Sequence, residues 1–286
     1  MARKNLATSR LAQTEEAINI LFRLVEEARR NLNPKGQSHQ SLKKLSDSEV
    51  LTLILLRQLR GVESERSLLR EAERFFARLL PGVAGLRPSS FHRGARGLRR
   101  WLEPSRKAIL GELAGDPETM IIDSALVEAL HPREVSQSSG FDGAAWVRWG
   151  SFSVRGVKPR MLAATNRVPA SCELTPANVA EARLAEELLA EARLGEGVAR
   201  RLPADLAYRG GMALQTERAE RRPGLRRRIE MAFSSLKRVF GLGETLATTL
   251  VGLATRIAAK VTAYTYAFLV NRMLGRPQGR IKDLWA

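Results

Sequence analysis

The chain has 286 residues, a single cysteine and a formal net charge of +17. One thiol excludes an intrachain disulfide framework, and an apolar content of 44% excludes a disordered chain. A positive excess this large points to a polyanionic partner, with DNA, RNA and an anionic membrane surface as the candidates; the plain alternative is a basic surface that keeps the protein soluble.

The first 17 residues lack the apolar core of a signal segment, and the expected location is the cytoplasm, in association with the nucleoid. Residues 12–31 carry Ile18, Leu21, Phe22 and Val25 at helical spacing. At 45–60, Ser46 and Glu49 stand three apart before an apolar run, the signature of a capping box, and Gly61 is placed to end that helix. A helix over 64–80 is stopped by Pro81-Gly82, and 89–113 reads as helix again. Residues 1–115 are therefore expected to form an all-α N-terminal region, basic around Arg93–Arg100 and a candidate for DNA binding. Within it, 88–103 has the basic content of a DNA-reading helix; an ordinary packing helix with a solvated arginine face explains it equally well.

The texture changes at Pro117. Residues 119–123 form a short apolar run ending in Asp123, and further strands are expected at 148–154, 158–165 and 168–174, with 148–154 and 168–174 alternating as strands do. A helix is expected over 175–195, with Pro176 in its first turn and Gly195 as its stop. Residues 199–205 read as a strand ending in Asp205, and 211–217 as one more. From Leu225 the chain reads as helix with a break at 241–243. The segment 246–271 is the most apolar, but Arg256 and Lys260 in its middle make it a buried helix, so no membrane span is expected. Strand, helix, strand, helix in that order suggests an α/β core of 116–240 with a partly parallel sheet, followed by a basic helical extension, 241–286. From 221 onward there are 13 Lys and Arg residues against Glu230, Glu244 and Asp283.

Three carboxylates stand where chemistry could use them: Asp123 and Asp205 at strand ends, and Glu230 early in a helix. Carboxylates at strand ends of an α/β sheet can converge at one edge, and hard divalent cations take such oxygen ligands. Each also has an ordinary explanation. Asp123 and Asp205 could be turn formers or caps, and Glu230 stands four residues after Arg226, as an exposed ion pair would. The helix adds information. Ile229, Phe233, Leu236 and Phe240 form one buried stripe, while Arg226, Glu230 and Lys237 share a line on its flank.

The run RRRIEMAFSSLKRVFG resembles the signature helix of the DDE transposases of bacterial insertion sequences. Its Arg, Glu and Lys pattern is matched by Arg226, Glu230 and Lys237; Pro223 stands where the family has Tyr. MIIDS resembles the strand of the first catalytic Asp, and LPADLAYRGG the stretch of the second, with Tyr208. ELTPANVAEARLAEELL and LSDSEVLTLILLRQLRGVESERSLLR resemble the family's segment after the third strand and its N-terminal helices. The resemblance spans most of 40–275. It implies an RNase H-like mixed sheet flanked by helices, with Asp123, Asp205 and Glu230 as catalytic residues and ligands of two Mg²⁺ ions, or Mn²⁺ in their place. It further implies that Arg226, Arg227, Arg228 and Lys237 are DNA contacts, that the partners are transposon ends and target double-stranded DNA, and that the protein is a homo-oligomer on DNA. Only 25 residues separate Asp205 from Glu230, fewer than is usual in the family. A relative shortened there would bind DNA without cutting it. An RNA-binding role or a plain nuclease is disfavoured, because 6% aromatic residues offer few platforms for stacking on single strands.

Overall fold

The computed structural model describes residues 2–33, 43–113, 119–130, 141–149, 151–179, 223–244 and 247–284. In chain order the elements are α1 (Ala2–Leu32), α2 (Asp47–Leu59), α3 (Glu65–Phe75), α4 (Pro88–Leu98), α5 (Leu102–Ala108) and α6 (Leu110–Leu113). Then come β1 (Met120–Ser124), β2 (Val127–Leu130), β3 (Ala145–Trp149), β4 (Phe152–Ala164), β5 (Pro169–Pro176), α7 (Pro223–Arg238) and α8 (Leu250–Met273). The chain is thus mixed α and β. It divides into two compact units, Met1–Glu112 with Ala258–Ala286, and Leu113–Ile257. The expected extension 241–286 is therefore shared between the units, its last part belonging with the N-terminal helices.

In the first unit the local signals act as read. Ser46 Oγ accepts the Glu49 N–H at 3.2 Å, and Glu49 Oε2 accepts the Ser46 N–H at 2.7 Å, closing the capping box at the head of α2. Gly61, at φ 62°, ends the helix; its N–H reaches the Gln58 carbonyl and that of Val62 reaches Arg57. This is a Schellman ending, which needs the left-handed conformation glycine adopts freely. The helix expected over 64–80 stops at Phe76, which is buried, and not at Pro81. From Ala259 to Asn271, α8 is buried on all sides. Thr262 Oγ1 and Tyr266 Oη donate to the carbonyls of Leu102 and Ser105 on α5. The aliphatic and aromatic surface of this helix thus forms the pillar of the helical core; Thr262, Thr265, Tyr266 and Asn271 Nδ2 donate to backbone carbonyls, while Asn271 Oδ1 is buried without a hydrogen-bond partner among the described residues. Among the described residues no helix is long and apolar enough to cross a membrane.

Among the described residues the second unit is built on a five-stranded sheet, antiparallel throughout, so the parallel pairing expected of a mixed sheet is not found among them. The long β4 is its axis. On one side it pairs with β1 and then β2; on the other with β5 and then β3. Gly156 sits where β2 and β3 flank β4, and a Cβ there would meet the Val127 carbonyl oxygen at 2.4 Å, so only glycine permits the pairing. Residues Gly156–Ala164 of β4 are buried apart from half-exposed Lys158, which makes both faces of the sheet's centre interior. Three sequence expectations change. Residues 148–154 are the tip of the β3–β4 hairpin, with Trp149 opposite Phe152, and not one strand. Val127–Leu130 is a strand, paired with β4, where the sequence pattern predicts none. Pro176 ends β5 opposite Val157 and does not open a helix. The expected strands 199–205 and 211–217, and the body of the expected helix after 179, lie outside the described residues.

Candidate active site around α7 and β1

β1 is short and two-faced. Met120, Ile121 and Ile122 are buried, and Asp123 and Ser124 are half-buried at its end. The register sets Asp123 beside Met161, and Met161 beside Cys172, so these three side chains occupy one row on one face of the sheet. The Asp123 carboxylate accepts the Ser124 N–H at 2.8 Å, which holds its Oδ1 at the strand end. The other face of the same region holds Arg160, which is wholly buried. Its Nε donates to Thr175 Oγ1 at 2.9 Å and its Nη2 to the Val179 carbonyl, tying β4 to the chain beyond β5. Nothing in the local sequence pattern distinguishes this arginine from the exposed ones.

α7 packs against β1. Pro223 opens it, a position where the missing N–H leaves no bond unmade. Ile229, Ala232, Phe233, Leu236 and, just past the helix end, Phe240 are buried, so the stripe expected from the sequence is the packing face. Glu230 lies beside that stripe and is exposed. Its Oε1 meets Arg226 Nε at 3.1 Å, with 58% of the arginine and 53% of the glutamate side chain accessible. Lys237 and Arg227 are exposed. Arg228 is anchored: its Nη1 donates to the Thr165 carbonyl at 2.6 Å, in the turn between β4 and β5. This contact, unread in the sequence, pins the N-terminal half of α7 to the sheet.

The structure thus brings the elements of Asp123 and Glu230 together. Asp205 and Tyr208 lie outside the described residues. Among the described residues no group of three or more His, Cys, Asp or Glu side chains is gathered as a metal site. The donors that Asp123 and Glu230 contribute are carboxylate oxygens on two packed elements, a set that suits a hard divalent cation in chemistry. Comparison with protein-family models, curated proteins and solved structures finds no significant match to this chain.

Proposed function

We propose that this protein is a DDE-type DNA transposase that cleaves the ends of an insertion sequence and joins the freed 3′-OH to target DNA. One observation carries the reading: the helix bearing Arg226, Glu230 and Lys237 packs on the strand that ends in Asp123, within one compact unit. In support, β1, β4 and β5 lie side by side and antiparallel, the arrangement with which an RNase H-like sheet begins. Asp205 is assigned as the third carboxylate.

Asp123, Asp205 and Glu230 would hold two Mg²⁺ ions, which supply Lewis acidity at the scissile phosphate when bound. The protein's own groups then have distinct tasks. Arg226 and Lys237, 11 residues or roughly 16 Å apart on the flank of α7, hold phosphates of the DNA end on either side of Glu230. The Arg226–Glu230 pair is exposed on both sides, so it is weak, and a phosphate can take the guanidinium while the carboxylate turns to its ligand role at little cost. Arg228 keeps the helix registered on the sheet through Thr165 and leaves Arg227 free to face the polyanion. Both ends of an element must be cut together, which calls for an oligomer on DNA.

The test is cleavage of labelled duplexes carrying the DNA that flanks the protein's own coding sequence, with Mg²⁺. Cleavage that disappears in Asp123→Ala supports the proposal. Metal-independent binding without any cleavage would instead select a DNA-binding relative disabled by its short Asp205–Glu230 segment.

A further inference from the structure

The first unit contains a cavity of about 700 Å³ among the end of α1, the approach to α2, and α4. Its lining carries five cations, Arg29, Lys43, Lys44, Arg93 and Arg100, against one carboxylate, Asp47. That carboxylate is already engaged by Arg29 Nη2 at 3.0 Å and Lys43 Nζ at 2.6 Å. Arg29 is buried, so its charge is matched within the fold. The charges of Lys44, Arg93 and Arg100 are not: Arg100 only overlies the Trp101 ring at 5.7 Å, and Lys44 and Arg93 have no ion-pair partner among the described residues. Three unmatched cations around one cavity repel one another, and an anion in the cavity removes that repulsion.

The wall of the cavity is unusual for a helix. Ser90, Gly94 and Gly97 fall on one face of α4, at i, i+4 and i+7. Glycine weakens a helix interior, so its presence calls for a reason. Packing among the described residues gives none. A Cβ at Gly97 would meet nothing within 4 Å, and one at Gly94 only the Val50 methyls at 3.8 Å. The bare wall leaves room for something outside the fold to approach the helix backbone.

Arg93 lies in α4 and Arg100 in the 3-10 turn Arg99–Trp101 that follows it, seven residues on, so the two stand roughly 10 Å apart along the direction of the chain. That spacing matches about three nucleotides of one strand at about 3.4 Å of rise each, so the two guanidinium groups can engage neighbouring phosphates of one strand. We propose that the cavity seats the sugar–phosphate backbone of one strand of duplex DNA, with Lys44, Arg93 and Arg100 as phosphate contacts and the Gly94–Gly97 wall as the surface the backbone lies against. That the polyanion is DNA rests on the transposase reading; the charge pattern and the wall do not.

The experiment is fluorescence anisotropy of a labelled DNA duplex with the full chain in EDTA, across a salt series. Arg93→Ala and Arg100→Ala should each weaken binding and lower the slope of log affinity against log salt by about one. Gly97→Leu should melt no lower than the wild type, because the site is open and leucine favours helix, yet bind about tenfold more weakly or worse, since a side chain there blocks the backbone. Gly97→Leu binding with wild-type affinity and slope overturns the proposal. So does a wild-type chain that binds duplex DNA no better than an inorganic polyphosphate of equal charge. The readout is separate from cleavage. Loss of binding in these variants without any cleavage by the wild type sinks only the transposase reading, and cleavage with unaffected groove variants sinks only the groove.

Discussion

Truncating Leu236 tests whether α7 is held to β1 by its buried stripe. The side chain is fully buried. Leu236→Ala removes three carbons, about 2.4 kcal/mol at about 0.8 kcal/mol per buried methylene. The residual cavity adds to this. A helix lying on one face of a sheet can settle partway into the space, which keeps the total near the lower end of the range for such changes, about 3 kcal/mol. Because the chain has two units, the effect is read locally, by native-state hydrogen exchange of the β1 and α7 amides. A loss of about 3 kcal/mol corresponds to protection falling roughly a hundredfold. Met231→Ala, on the same helix but 44% exposed, should change protection by less than about 0.5 kcal/mol. If the two variants exchange alike, the packing argument fails, and with it the reason for bringing Glu230 toward Asp123.

Other expectations follow from individual contacts. Ser46→Ala should destabilise α2 by about 1 kcal/mol in thermal melts, and Glu49→Ala should add less in that background than alone, because the two bonds of the capping box are reciprocal. Arg226→Ala should change stability by less than about 1 kcal/mol, since the ion pair is exposed, while cleavage of DNA ends falls; a large stability loss with unchanged cleavage would reverse its assigned role. Tyr266 is buried, which pushes its hydroxyl up from the ordinary value of 10.0; the Ser105 side chain works against the rise and the Glu112 charge adds to it. The unfolded chain therefore loses this proton first. The stability contributed is whole below pH 10 and declines above it, by at most about 1.4 kcal/mol per pH unit. Tyr266→Phe should lack that decline, and equal alkaline slopes for the two proteins would contradict it.

The legible parts of this structure are those whose causes are local in sequence. The capping box at Ser46, the glycine stop at Gly61 and the buried stripe of α7 depend on residues within a few turns of one another. So does the end of β1 at Asp123-Ser124. What was not legible depends on partners far along the chain. β2 is only four residues long and gains its strand character from pairing with Gly156 and its neighbours. Arg160 looks like any arginine until the sheet closes over it and Thr175 and Val179 accept its protons. Pro176 fits the first turn of a helix in sequence, yet proline disfavours helical backbone in the residue before it, and Thr175 is accordingly in strand, opposite Lys158. The return of α8 to the N-terminal helices has no signal beyond its apolar character. The cavity beside α4 draws on residues from 29 to 101, which no short motif could connect. Within the candidate site, Asp123 and Glu230 are proposed from the resemblance of their segments and not from spacing alone, whereas the anchoring of α7 by Arg228 on Thr165 required the fold.

The central claim is that Glu230 acts as a ligand in phosphoryl transfer and not as the surface partner of Arg226. The most direct measurement is the rate of strand cleavage by Glu230→Gln at saturating Mg²⁺, beside its melting temperature. Glutamine keeps the size and the exposed position but loses the charge. The transposase reading predicts an unchanged melting temperature, because an exposed pair contributes little. It also predicts cleavage slower by about a hundredfold or more, since metal ligation at the scissile phosphate stabilises the transition state by several kcal/mol. Cleavage at the wild-type rate in Glu230→Gln would contradict it.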